Sequence, residues 1–217
     1  MRRWPHCAIL MLLGAAGCAA PPSSEKVRAF TEDGVHLYTH GDYKDAKESF
    51  QAALALRPGD VDLMYDVAQC CDRLGQDDRA ERLYRDCLTR APDHAECRHA
   101  LGTLLVRQGR WADATALIHD WLDRRPKSAT AVAEDAWLWR QYGDLPKARA
   151  RLEEALAMDP HDNRALLEMA QVYETMRRPD RAVYLYQQAL QYKPDQPDVV
   201  ERLTSLRREG AERPRPD

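Results

Sequence analysis

The apolar, small and turn-forming residues of this chain recur at one interval. Prolines stand at Pro58, Pro92, Pro126, Pro160 and Pro194, each 34 residues after the last. In phase with them run a small residue (Gly34, Ala68, Gly102, Ala136, Ala170) and an alanine (Ala46, Ala80, Ala114, Ala148, Ala182). Four residues past each alanine comes a bulky apolar side chain: Phe50, Tyr84, Ile118, Leu152 and Tyr186. A turn glycine separates the two small positions at Gly41, Gly75, Gly109 and Gly143, and Arg177 takes its place in the last interval. The pattern predicts two helices per interval. First helices fall near 27–39, 61–74, 95–108, 129–142 and 163–176, and second helices near 43–56, 77–90, 111–124, 145–158 and 179–192. An eleventh, from about Asp198 to Arg208, sets Val199, Val200, Leu203 and Leu206 against Glu201, Arg202, Arg207 and Arg208 on its other face. No segment shows a strand pattern.

Each repeated residue type has a physical reason. The small residues and the alanines let the two helices of an interval approach closely, and the bulky side chains fill the space that remains. Proline lacks an N–H and disfavours helix at the residue before it, so it ends each second helix. Glycine accepts the positive φ that a helix C-terminus often needs. Arg177 lacks that freedom, so the last turn is expected to be built differently. No single interval can bury its apolar face alone, so the array must fold by stacking neighbours.

This spacing of a small residue, an alanine, an aromatic and a proline resembles the tetratricopeptide repeat (TPR) over residues 27–196. The resemblance implies an all-α, right-handed α-solenoid of five helix–turn–helix units, 27–60, 61–94, 95–128, 129–162 and 163–196. Residues 197–209 then form the polar-backed cap that a terminal repeat requires, and 210–217 a disordered tail. In similar proteins a peptide lies along the first helices, in a concave groove. The candidate groove residues are Tyr38, Tyr65, Gln69, Asp72, Arg73, His99, Arg107, Trp137, Arg140, Gln141 and Gln171. Tyr65 and Trp137 are large amphipathic side chains of the kind that anchor interfaces. Arg73, Arg107 and Arg140 could pair with carboxylates along a peptide, and the glutamines suit its backbone. Receptors of this family that hold a C-terminal carboxylate use a clamp of Lys and Asn. Here Thr31, Tyr65 and His99 stand for the Lys, and Val35, Gln69 and Thr103 for the Asn, so that clamp is absent.

The first 17 residues read as an export signal. Arg2 and Arg3 precede the apolar run Cys7–Leu13, and small residues follow. The run is too short to span a bilayer, which takes roughly 20 residues. Ala15-Ala16-Gly17-Cys18 resembles a bacterial lipobox, with Ala15 where Leu is usual. That resemblance implies a lipid anchor on Cys18, residues 18–26 as a flexible tether, and an outer-membrane, periplasm-facing location. Plain cleavage near Ala19 or Ala20, giving a soluble periplasmic or secreted protein, is the alternative.

Charge and composition narrow the function. The net charge is −3, with no long basic stripe, so nucleic acid is not an expected partner. Export would put Cys70, Cys71, Cys87 and Cys97 in an oxidising compartment. Cys87 and Cys97 lie on helices expected to pack together and form the candidate disulfide. Four reduced cysteines filling tight helix contacts is the competing reading. His36 and His40 are four apart on one helix, and His94, Cys97 and His99 cluster at a helix start. Neither set provides a metal site, so no metal and no cofactor is expected. No phosphate loop, nucleophile motif or dinucleotide fingerprint appears, and enzyme activity is not expected. The expected function is a protein-binding scaffold whose partner is another envelope protein or peptide. A self-associating or permanent subunit of an envelope complex is the alternative, and a metal-dependent enzyme a third.

Overall fold

The computed structural model describes residues 23–212. Cys18, the candidate lipid site, the stretch expected to be an export signal, and residues 213–217 lie outside them. Among the described residues eleven helices follow one another: α1 Ser23–His40, α2 Tyr43–Leu56, α3 Val61–Arg73, α4 Asp77–Arg90, α5 Ala95–Arg107, α6 Trp111–Arg124, α7 Ala129–Gln141, α8 Leu145–Met158, α9 Asn163–Thr175, α10 Pro179–Tyr192 and α11 Pro197–Glu212. There is no strand among the described residues. The terminal helices reach beyond their expected limits. α1 begins at Ser23, inside the stretch expected to be a tether, and α11 runs to Glu212, into the expected tail. Ser23, Ser24, Glu25 and Lys26 continue the helix ahead of Val27, the first core residue, and Glu25 suits the positive end of the helix dipole.

Helices pair in sequence as hairpins, and each hairpin stacks on the next. The first helices of successive units also touch: α3 with α5, α5 with α7, and α7 with α9. That places them on the inner side of the curve. The small residues work as the spacing suggested: a Cβ on Gly34 would lie 2.7 Å from the Phe50 ring.

The joints repeat as regularly as the core. Asp60, His94, Ser128 and Asp162 each accept a hydrogen bond from a backbone N–H three residues on, capping α3, α5, α7 and α9. At the hairpin turns, the N–H after each glycine bonds back five residues, as in Asp42 to Leu37 O at 3.0 Å and Asp144 to Trp139 O at 3.0 Å. The last turn keeps this geometry instead of changing it. Arg177 takes φ 57°, and Arg178 N–H bonds to Tyr173 O at 2.8 Å. The helix end imposes the left-handed conformation whatever residue sits there, and here a Cβ bears the strain.

Cys87 and Cys97 form a disulfide that ties α4 to α5. Cys70 and Cys71 are buried thiols. Burial first, and Asp66 after it, pushes the Cys70 thiol up to about 12, so it sits in the core as a neutral thiol.

Candidate functional site

The inner faces of the first helices border an open groove of about 870 Å³ reaching from the second unit to the loop after α10. At one end its wall is a hydrogen-bonded chain. Arg73 Nε donates to Tyr38 Oη at 3.2 Å, Tyr38 donates to Gln69 Oε1 at 3.2 Å, and Gln69 Nε2 donates to Tyr65 Oη at 2.8 Å. The Arg73 guanidinium stacks on both Tyr38 and Tyr43, 6.0 and 5.7 Å from the ring centroids. Burial, then the Glu96 charge, pushes the Tyr65 phenol up to about 12. Tyr65 therefore keeps its proton, and its O–H can donate to a partner while its oxygen accepts from Gln69.

The groove floor is ionic. Glu134 on α7 is 1 % exposed and Glu168 on α9 is 2 % exposed. Arg164 Nε lies 2.7 Å from Glu134 Oε1, close but not aligned as a hydrogen bond. Arg164 Nη2 lies 3.1 Å from Glu168 Oε1, and Arg140 Nε donates to Glu168 Oε2 at 2.9 Å. His99 Nδ1 is 3.0 Å from Glu134 Oε2, and its ring meets Trp137 edge-on. Burial opposes ionising Glu134, but the charges of Arg164 and His99 outweigh it and hold the carboxyl below its usual range. For Arg164, burial is likewise outweighed by Glu134 and Glu168, which raise the guanidinium further. The network joins α5, α7 and α9, so it binds three units together beneath the groove.

Several candidate groove residues stand elsewhere. Trp137 is 3 % exposed and belongs to the core. α7 is covered by α5, α6, α8 and α9, and the ring lies where a Cβ on Gly102 would come within 3.3 Å of it. α7 meets the groove through Thr130 and Glu134 and turns Trp137 away from it, into the core. Arg107 lines the groove but pairs with Asp72 and, at 3.1 Å, with Asp77, and Arg140, outside the lining, is held by Glu168. Among the described groove arginines, Arg73 is the one with no carboxylate at ion-pair distance. Gln171 lines a smaller hollow of about 280 Å³ against α11, and Gln141 lines neither. Glu134 and Glu168 are groove-floor residues that the pattern of apolar and small positions does not mark. Their signal was their spacing, 34 residues, at one position of the repeat.

Metal-binding geometry is limited. His40 Nδ1 donates to His36 O at 2.7 Å, and among the described residues no third ligating side chain joins this pair. Cys87, His94 and Cys97 hold donor atoms within 4.8 Å of one another, but both sulfurs are in the disulfide. No described helix is long and apolar enough to cross a membrane.

The fold and groove define a class: an α-solenoid of helix hairpins with a concave polar channel. Comparison with known proteins then refines it. Residues 39–142 match the middle TPR-like domain of cilia and flagella-associated protein 70, and residues 140–206 match a tetratricopeptide repeat family. Protein TTC0263 of Thermus thermophilus, a thermophilic TPR protein, superposes with a TM-score of 0.60 at 26 % identity, covering 83 % of this chain and 98 % of that one. Human protein O-mannosyl-transferase TMTC1 is 25 % identical over 85 % of this chain and 21 % of its own length. Cellulose synthase operon protein C of Xanthomonas axonopodis pv. citri (strain 306) is 28 % identical over 79 % of this chain and 12 % of its own length. The chain spans about a fifth and an eighth of these two relatives, so the matches concern a repeat region and not whole-protein activities. Together these findings support a TPR protein, a class of generally non-catalytic scaffolds.

Proposed function

We propose that this chain is a non-catalytic scaffold that holds a segment of another envelope protein in its concave groove. The observation that carries the reading is the ordered wall of Arg73, Gln69 and Tyr65 facing the groove, with Tyr38 holding Arg73 and Gln69 from behind. Holding side chains in place beforehand lowers the entropy lost on binding. Arg73 supplies the cation for a partner carboxylate, and Tyr65 supplies a donor for a main-chain carbonyl. The ionic floor sets the spacing between units without consuming the wall. The envelope setting rests on the sequence signal, with Cys18 as lipid site and the groove facing the periplasm.

Affinity capture from detergent-solubilised envelopes tests the groove. The bait is residues 19–217, run beside the same chain with Tyr65→Ala, Gln69→Ala and Arg73→Ala. A partner held by the first and lost by the second, at unchanged helicity, supports the reading. Equal capture by both moves binding away from the groove. Cys18→Ala followed by cell fractionation tests the anchor: an unchanged membrane-bound share rules it out.

A further inference from the structure

The third unit breaks the repeat at two facing core positions. Met64, Val132 and Leu166 occupy one buried position, and the third unit places Arg98 there, 2 % exposed. Ala53, Cys87, Ala155 and Ala189 occupy the other, and the third unit places Trp121 there. The guanidinium lies over the Trp121 ring, 5.0 Å from its centroid. Its Nη1 donates to Leu117 O at 3.0 Å and its Nη2 to Pro92 O at 2.6 Å. Its Nε is buried with no partner, and no described carboxylate lies within ion-pair distance. With this bulk between them, α5 and α6 pack less closely than the helices of the other four hairpins.

Arg98 lies beneath an outer cleft of about 770 Å³, bounded by α4 and α6 and floored by α5. α5 turns Glu96, His99 and Thr103 to the groove and Arg98, Leu101 and Leu105 to this opposite face. Leu88 and Leu117 complete an apolar floor. At the rim, Arg85 pairs with Glu81, Arg110 with Glu81 and Asp113, and Arg124 with Asp120. Arg98 is therefore the one lining cation left without an acid among the described residues. Burial, then the nearby Arg124 charge, pulls its guanidinium below the ordinary value, the direction a missing counter-charge produces.

We propose that this outer cleft is a second binding site, for a partner protein segment that presents a carboxylate side chain flanked by apolar ones. The carboxylate pairs with Arg98 and the apolar neighbours rest on the leucine floor. Guanidinium has five N–H groups, and the two carbonyls occupy only two of them, so donors remain for a planar acid. The carboxylate approaches the guanidinium from the cleft, which Arg98 itself lines. A protein segment fits better than a small amphiphile, because the cleft is open and rimmed by neutralised pairs that offer hydrogen bonds to a backbone.

The test is selection of displayed random dodecapeptides on the full chain, with counter-selection on Arg98→Met. That variant restores the residue found at Met64, so it should stay folded, with helicity and melting temperature at or above those of the parent. Enriched peptides are expected to carry Asp or Glu beside Leu, Ile or Phe. A synthesised representative should bind Arg98→Met about tenfold or more weakly, as should its Glu→Gln analogue on the parent chain. Tyr65→Ala should leave this binding intact, which separates the cleft from the groove. The proposal is overturned by no enrichment over Arg98→Met, by enriched peptides without an acid, or by binding that Tyr65→Ala abolishes.

Discussion

Arg164 of the fifth unit reaches across to Glu134 of the fourth, placing its guanidinium Nε 2.7 Å from a carboxylate oxygen that is almost wholly buried. Breaking a buried pair by removing one partner costs about 3–5 kcal/mol, because the other charge is left uncompensated. Glu134→Ala should therefore lower unfolding stability by that order in denaturant titration at neutral pH. Glu153→Ala, which removes an exposed pair with Arg149, should cost under about 1 kcal/mol. The folded carboxyl of Glu134 sits below its unfolded value. Its contribution is thus present above about pH 4.3 and lost as pH falls through the folded value.

Asp66 carries the opposite sign. Burial, then Asp62 and Asp60, pushes its carboxyl up to about 6. An unfolded aspartate titrates near 3.9, so keeping Asp66 charged in the fold opposes folding above that pH. Asp66→Asn should stabilise the protein by roughly 2 kcal/mol at pH 7.5 and leave it unchanged near pH 3.5, with the gain appearing between about pH 4 and 6. Melting temperatures across that range decide it. A gain that does not vary with pH would point to packing instead of charge.

The Cys87–Cys97 disulfide closes a loop of 10 residues between α4 and α5. Loop-closure entropy for that length gives about 2–3 kcal/mol. Reductant should lower the denaturant midpoint of the parent chain accordingly. Cys87→Ser with Cys97→Ser should show a similarly low midpoint that reductant no longer moves.

Arg177 bears the positive φ that glycine bears in the other four turns. A non-glycine residue in that conformation costs about 1–2 kcal/mol, and part of the relief is offset by the greater chain entropy of unfolded glycine. Arg177→Gly should raise stability by about 0.5–1 kcal/mol, with α9 and α10 unchanged. Equal or lower stability would mean that the Arg177 side chain contributes more than its backbone strain removes.

Trp137 and Tyr65 should separate folding from binding. Trp137→Ala empties a packed space beneath Gly102 and should cost about 3–5 kcal/mol of stability. Tyr65→Ala, at a half-buried groove position, should cost less stability and more partner affinity. Loss of capture by Trp137→Ala under conditions where it is unfolded therefore says nothing about contact.

The fold class was legible in the chain because it follows from local rules. Pro58 and its four counterparts end the second helices, the turn glycines meet the positive φ, and Ala46 with Phe50 sets the hairpin spacing. All five second helices, from Tyr43–Leu56 to Pro179–Tyr192, fall at the limits their period predicts. The sequence by itself determined which segments are helical, in what order, and at what repeat. Tertiary structure alone decided what each side chain faces. Trp137 looks like a surface anchor until four helices are seen to cover α7. Arg107 and Arg140 look free until Asp72, Asp77 and Glu168 arrive from other helices. Glu134 and Arg98 are charges that a one-helix reading puts in water, and only the stacked units show them buried. The physical reason is that helix formation and turn geometry depend on neighbours within a few residues, whereas burial and pairing depend on contacts about one repeat away, which no local rule encodes.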